Sequence, residues 1–288
     1  MPDVAGAYSN YKNIQMRKNS LLFFAIGIAI TWFAISCKRE LEPSASYETP
    51  TGTAYLRIVH AAPYFRNIFN VSDSFNVLVG GTKVTASITG SNPYMTYNSI
   101  FPNVSTLNGY ISVPAGEQEI KLSAGVLNTD SLTIKRFTKV LAPDTYYTFM
   151  ITDSINSNRD IAQMFVRDSL TTPTTGYYGL RFIHAVMQDA AIPANRLVDT
   201  IDLFSSRYNR NIYTKITPGT ITTFSQFSYD AALEDTVYVR RVRSNVNLAT
   251  LNWKPANQRT YTLYFKGDGT ISTTTNPRAR SLATIVHK

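Results

Sequence analysis

Short runs of apolar residues, many of them alternating with polar ones, recur through residues 54–288 and are separated by clusters of Gly, Pro, Asn and Ser. A period of two is typical of half-buried β-strands, and closely spaced turn signals are typical of β-sandwiches. The pattern therefore predicts an all-β protein. The runs expected to form strands are YLRIVHA, FNVLVGG, TKVTASI, GYISVPAG, QEIKLSA, SLTIKRFTKVL, TYYTFMITD and RDIAQMFVR, followed by GLRFIHAV, TIDLFSS, NIYTKI, TITTFSQF, DTVYVRRVR, LATLNW, TYTLYFKG and SLATIVHK.

The first strand of this series occurs twice. The shared positions are Leu56, Arg57, His60 and Ala61 in the first copy and Leu180, Arg181, His184 and Ala185 in the second. A second landmark repeats in the same order, with Pro143, Tyr147 and Thr148 matching Pro255, Tyr261 and Thr262. Two matched landmarks at similar separation predict tandem domains. We place two β-sandwiches at 54–168 and 178–288, joined by a short Thr- and Pro-rich linker at 169–177.

Composition supports folded β-domains and limits the partners. The 288 residues are 44% hydrophobic and 12% aromatic, which is not the composition of a disordered chain. The net charge of +9 is spread thinly, so nucleic acid is not an expected partner. The one close group of cations is Arg240, Arg241 and Arg243, which fall on both faces of one predicted strand. An edge strand or a bulge would explain this; contact with an acidic glycan or lipopolysaccharide is the alternative.

The start of the chain has the three parts of a secretory signal. A basic start at Arg17 and Lys18 precedes an apolar run over residues 21–35, and residues 16–36 form the predicted signal peptide. The apolar run is shorter than the roughly 20 residues that span a bilayer, so a transmembrane anchor is the weaker alternative. Residues 1–15 are polar and precede a better start at Met16, and we interpret them as an overlong start.

The apolar run ends in the sequence AISC, which resembles the bacterial lipobox. The resemblance implies that the thiol of Cys37 is acylated and begins the mature chain. Cys37 is the only cysteine of the chain, so an exported form has no disulfide to make with it. Residues 37–53 would then be the lipidated cysteine and a flexible tether. The expected location is the outer membrane or the cell surface, with the membrane as a partner through Cys37.

Four segments together resemble the domain of unknown function DUF4397. They are the opening LRIVHAAP, the strand FNVLVGGTKV, YISVPAGEQEIKL and LAPDTYYTFMI, within residues 54–167. The second copy lacks the VPAG element and is the more diverged. The resemblance implies an immunoglobulin-like β-sandwich on exported or surface proteins, often in tandem. It implies no reaction, cofactor or site residue.

Candidate catalytic residues are few. His60 and His184 alternate with apolar residues onto the core face of their strands, and we interpret both as structural. His287 has no companion motif, and no zinc, Cys-His or Ser-nucleophile arrangement is apparent. The aspartates at 153, 160, 168, 199 and 202 are expected to serve turns and strand ends, with paired-carboxylate hydrolysis as the alternative. Residues 153–160 have alternating oxygen ligands that would suit calcium but lack the pattern of an EF-hand loop. No metal or cofactor is therefore expected.

The best binding candidate is the long loop 90–109. It carries Tyr94, Met95, Tyr97 and Phe101 among polar residues. Long loops in compact domains are often functional, and aromatic rings can stack on sugars or anchor a protein. The alternative is that these side chains close the open end of the sandwich. The prediction is a non-enzymatic binding module for a glycan or protein, with an architectural spacer and a carboxylate hydrolase as alternatives.

Overall fold

The computed structural model describes residues 52–65, 74–85, 95–102, 109–124, 133–154, 163–186, 200–269, 271 and 275–287. In the first half the strands are β1 Thr53–His60, β2 Phe75–Val79, β3 Thr82–Lys83, β4 Ile100–Phe101, β5 Ile111–Pro114, β6 Gly116–Ala124, β7 Thr133–Leu141, β8 Tyr146–Ile151 and β9 Gln163–Asp168. In the second half they are β10 Tyr177–His184, β11 Ile201–Ser205, β12 Arg210–Ile216, β13 Ser225–Ser228, β14 Asp235–Arg241, β15 Asn247–Trp253, β16 Thr260–Lys266 and β17 Ser281–Val286.

The strands form two sheets in each half, with the same topology in both halves. One sheet has the order β3-β2-β6-β7 in the first half and β12-β11-β14-β15 in the second; we call these the outer sheets. The inner sheets have the orders β4-β1-β8-β9, in which β5 also pairs with β1, and β13-β10-β16-β17. The opening strand of each half runs parallel to the penultimate strand, β1 with β8 and β10 with β16. The all-β prediction is confirmed, and the described residues contain no helix.

Each half has its own hydrophobic core between its inner and outer sheets. In the first, Leu56 and Ile58 of β1 pack with residues such as Val77 of β2 and Ile120 of β6. The second core has the same plan, with Leu180 and Phe182 of β10, Leu203 of β11 and Val237 of β14. These are the positions at which period-two alternation faces one side of a strand.

A third apolar cluster joins the two halves. The opposite faces of the inner sheets contribute Val59, Ala61, Met150, Met164 and Val166 from the first half and Ile183, Ala185, Tyr264 and Ile285 from the second. The four sheets therefore stack in the order outer, inner, inner, outer, and residues 50–288 form one compact unit. Strands β1 and β10 are buried on both faces, which explains their nearly continuous apolar sequence.

A bulge explains why Arg240 and Arg241, at the end of β14, break the alternation of the strand. The register between β14 and β15 shifts between Val239 and Arg240. The edge-strand explanation is wrong, because β14 lies between β11 and β15. Arg243 follows in a turn with a φ of 60°.

No helix among the described residues is long and apolar enough to cross a membrane. The predicted leader at 16–36, with Cys37, lies outside those residues.

Candidate functional site

The two repeated histidines lie in the cores. His60 and His184 are fully buried. The His60 ring lies 4.8 Å from the Phe75 ring, centroid to centroid, and that of His184 lies 5.3 Å from Phe265. Both side chains therefore pack as core residues of their own sandwich, on the face that alternation predicts.

The predicted binding loop places its described residues inward. Met95 is 2% exposed and belongs to the first core, and Phe101 packs against the same core from β4. Tyr97 is half-buried, edge-on to His60, with the Lys266 ammonium 5.1 Å from its ring centroid. Tyr94 lies outside the described residues. Met95 and Phe101 thus pack into the first core, Tyr97 also contacts the second half, and these three side chains do not form an exposed aromatic surface.

Of the five aspartates, three lie within the described residues, at a turn, at a strand end and within a strand. Asp168 ends β9 and is buried, and Asp202 lies within β11 and is 8% exposed. Asp153 accepts a local hydrogen bond from the Ser154 amide, at 2.8 Å, as a turn residue would. Asp160 and Asp199 lie outside the described residues, as do Asn156 and Asn158 of the calcium candidate. The described residues contain no group of three or more His, Cys, Asp or Glu that could hold a metal ion.

Asp168 belongs to a polar network between the two halves. Its carboxylate forms a fully buried salt bridge with Arg181 of β10. It also accepts hydrogen bonds from the hydroxyls of Thr148, at 2.7 Å, and Tyr110, at 2.8 Å. Arg57 reaches in the opposite direction, donating to the carbonyl of Val286 at 3.0 Å. Each of the two repeated arginines therefore contacts the other half of the molecule.

His287 closes this network into a ring. Its Nδ1 lies 2.7 Å from the Tyr110 hydroxyl and its Nε2 lies 2.6 Å from Thr262 Oγ1, which accepts from Arg181 Nε. A neutral imidazole protonated at Nδ1 satisfies the hydrogen bonds of the ring: Arg181 donates to Thr262, Thr262 to Nε2, Nδ1–H to Tyr110, and Tyr110 to Asp168. It leaves the longer contact of Arg57 Nη1 with Nδ1, at 3.4 Å, without a hydrogen bond. Burial, followed by the positive charges of Arg181 and Arg57, holds the pKa of His287 well below 6.5, which favours this neutral form.

The network repeats around the molecule with two exceptions, of which the first is that Phe224 takes the place of Tyr110. Arg57 and Arg181 stand over the rings of Tyr110 and Phe224, at 4.3 and 4.6 Å from the centroids. Asp168 is paired with Tyr146 on the neighbouring strand, and His287 is paired in the same way with Thr260, the residue of the second copy that corresponds to Tyr146. The second copy therefore has a histidine where the first has an aspartate. A single carboxylate consequently serves both buried arginines, so this network holds the sandwiches together and offers no open site.

The open polar site of the second half is a groove on its outer sheet. The side chains of β11 and β14 that point away from the core form its floor. A cavity of about 280 Å³ lies there, close to the size range of small-ligand sites, which begins at about 300 Å³. Its walls are lined by Asp202, Phe204, Asn211, Arg240, Arg243, Ser244 and Asn245. We call this set the outer groove.

The groove side chains are held in place by one another. Asp202 and Arg240 lie opposite each other on paired strands, as do Phe204 and Tyr238. The Arg240 guanidinium carbon lies 3.9 Å from the Phe204 ring centroid and 5.0 Å from that of Tyr238, and its Nε donates to Asn247 Oδ1 at 2.9 Å. An arginine stacked in this way keeps a fixed orientation with its remaining N–H groups available on one edge.

Asp202 is also fixed. Its Oδ1 accepts from the backbone amide of Lys215, at 2.8 Å, and its Oδ2 accepts from the Asn211 side-chain amide, at 3.0 Å. Lys215 has a φ of 54°, a left-handed conformation that is uncommon for a residue other than glycine. Both carboxylate oxygens are thus engaged in holding β12 against β11. The groove side chains are therefore held in fixed positions by contacts within the outer sheet.

Comparison with known proteins agrees with the motifs of the first half. The family model described as domain of unknown function (DUF4397) matches residues 54–195. This part of the chain belongs to that family. The match runs from β1 through β10, so it includes the opening strand of the second copy.

More distant comparisons add little. No curated protein sequence matches the chain. Among solved structures, one similar chain is a DUF1812 protein from Bacteroides thetaiotaomicron, whose description assigns it to polysaccharide binding without proof. The two are 9% identical, with a TM-score of 0.20, over 74% of this chain and 92% of the other.

Proposed function

We propose that the protein is a lipoprotein of the outer membrane or cell surface whose tandem sandwiches form a non-catalytic binding module. Cys37 is its lipid anchor, and the outer groove is its ligand site. The observation that supports the proposal is the groove itself, in which one aromatic ring, two arginines and two asparagines face a cavity of about 280 Å³. Planar polar groups beside an aromatic ring are the partners that sugar hydroxyls and sugar ring faces need.

Binding fits this groove better than hydrolysis. Glycoside hydrolysis by the common route needs two carboxyl groups about 5 to 10 Å apart, one on each side of the scissile bond. The residues that line the groove include one carboxylate, Asp202, and both of its oxygens already accept hydrogen bonds within the protein. We therefore assign the groove to recognition.

Substitution of Phe204 by Ala should weaken glycan binding about tenfold. It removes the aromatic surface and the platform on which Arg240 stacks, and an aromatic contact contributes about 0.5–1.5 kcal/mol beyond its buried area. The measurement is a glycan array with residues 50–288, followed by calorimetric titration of the glycans that bind. Tyr177→Ala is the control, because Tyr177 is an aromatic side chain that solvent reaches but that lies on the inner sheet. Equal affinities for the wild type and Phe204→Ala would contradict the assignment.

An architectural spacer is the second candidate, and the polar network between the sandwiches favours it. A buried salt bridge and a ring of hydrogen bonds join the two halves, as a module that must hold a fixed length would require. A spacer needs no ligand in the outer groove. The same glycan array separates the two candidates, because a spacer binds none of the glycans.

Replacement of Cys37 by Ala should move the protein from the membrane fraction to the soluble exported fraction. Only the cysteine thiol can be acylated, and acyl chains bind a bilayer through about 0.8 kcal/mol per buried CH₂ group. Cell fractionation and immunoblotting measure the distribution. Lys38→Gln is the control, since it changes the neighbouring residue and keeps the thiol. If Cys37→Ala remains in the membrane at an unchanged level, the lipoprotein proposal fails.

A further inference from the structure

The charges of the outer groove are unequal. Two cations, Arg240 and Arg243, line it together with one carboxylate, Asp202. Among the described residues, neither arginine forms a salt bridge; the salt bridges found there are Arg181–Asp168 and Arg136–Glu119. The residues that line the groove therefore carry an excess of one positive charge.

The geometry explains why Asp202 does not pair with Arg240, although the two face each other across β11 and β14. The Asp202 oxygens are directed to the Lys215 amide and the Asn211 side chain. Arg240 is held over the rings of Phe204 and Tyr238. A guanidinium fixed on an aromatic platform beside a cavity that its side chain lines is preorganised for a bidentate contact with a planar carboxylate.

The remaining groups suit a sugar. Asn211 donates from its Nδ2 to Asp202, which leaves its carbonyl oxygen as an acceptor for a hydroxyl. Asn245 and Ser244 add further short polar groups to the cavity wall. The fixed Asp202 carboxylate disfavours the binding of a densely charged polyanion, because each further negative charge on the ligand would lie close to Asp202 and be repelled by it. A ligand with one negative charge per ring matches the groove.

We propose that the outer groove binds a sugar that carries one carboxylate, a uronic acid unit of an acidic glycan. Arg240 pairs with the carboxylate, Arg243 adds a second positive charge, and Asn211 and Asn245 bind ring hydroxyls. This inference rests on the proposed binding function and names the class of ligand.

The test uses the full chain, solubilised in mild detergent, and two probes that differ only in charge. These are an oligogalacturonate and the same oligosaccharide after methyl esterification of its carboxylates. We expect the acid to bind at least tenfold more tightly than the ester, with an affinity that falls as salt is added. Arg240→Gln should lose about tenfold in affinity for the acid and little for the ester. Arg259→Gln, outside the groove, should match the wild type, and equal melting temperatures establish that the variants fold.

The outcomes distinguish failure of the uronate assignment from failure of the proposed glycan-binding function. Equal binding of the acid and the ester, or an Arg240→Gln variant that keeps full affinity for the acid, overturns the uronate assignment and leaves glycan binding standing. A sulfated glycan that binds more tightly than the uronate, with no loss in Arg240→Gln, also overturns it, since general attraction to a basic protein would explain both. If no glycan binds, the binding function and the uronate assignment fail together.

Discussion

Replacement of Asp168 by Asn is expected to lower the free energy of unfolding by about 3–5 kcal/mol. The substitution keeps the size of the side chain and removes the only carboxylate of the network between the sandwiches. Arg181 would then be a buried cation without a counter-charge, and Arg57 would lose the nearest negative charge. Removing one partner of a buried ion pair is costly because the other charge stays desolvated.

Urea unfolding of residues 50–288 at neutral pH measures the effect. Circular dichroism follows both sandwiches, while fluorescence follows the second, because Trp253 is the one tryptophan in this segment and lies in its core. The control is Glu119→Gln, which breaks the exposed Arg136–Glu119 pair, and it should cost about 0–1 kcal/mol. A difference between the two variants of less than about 1 kcal/mol would show that the network contributes no more than a surface pair.

An effect of that size would be a large part of the total stability. Domains of ordinary size are stable by about 5–15 kcal/mol. The network therefore contributes to whether the two halves fold as a unit. The apolar cluster that includes Val59, Met150, Ile183 and Tyr264 adds buried hydrophobic contacts between the same two halves.

The strands could be predicted from the sequence because their signal is local. Within the described residues, each predicted run overlaps a strand, since alternation records which face meets the core. The two-residue strand β4 was not predicted, because its residues Ile100 and Phe101 lie inside a loop rich in polar groups. Residues this few have too short a pattern to display a period.

The contact between the sandwiches could not be predicted in the same way. Arg57 is charged and alternates to the face opposite Leu56 and Ile58, which is the solvent face in an isolated sandwich. It is buried because the second half supplies the carbonyl of Val286, which is 229 residues away along the chain. One signal was available: Leu56, Ile58 and Val59 place apolar residues on both faces of β1, and Leu180, Phe182 and Ile183 do the same in its copy.

The outer groove depends on strand register, which the sequence pattern leaves open. Asp202 and Arg240 face each other only because β11 pairs with β14 in one register. The sequence places three arginines close together in this region, and the bulge at Arg240 separates their positions. Arg240 and Arg243 line the cavity, while Arg241 does not.

The difference between the two copies at Asp168 and His287 predicts how stability depends on pH. Burial and two neighbouring cations, Arg181 and Arg57, hold the pKa of His287 well below 6.5. The Asp168 carboxylate and the Tyr110 hydroxyl complete its surroundings. Above about pH 6.5 the side chain is neutral whether the protein is folded or unfolded, so it causes no pH dependence.

Below that pH the unfolded chain binds a proton at His287 that the folded protein does not bind. Stability should therefore fall with acid by up to about 1.4 kcal/mol per pH unit, until the pH reaches the pKa in the folded state. His287→Gln keeps a donor and an acceptor at this position and cannot titrate, so its stability should fall less steeply between about pH 6.5 and 5. Urea unfolding of both proteins at several pH values measures the slopes. Because His60 and His184 are present in both, the difference in slope belongs to His287, and equal slopes would mean that the folded protein accepts the proton between its two arginines.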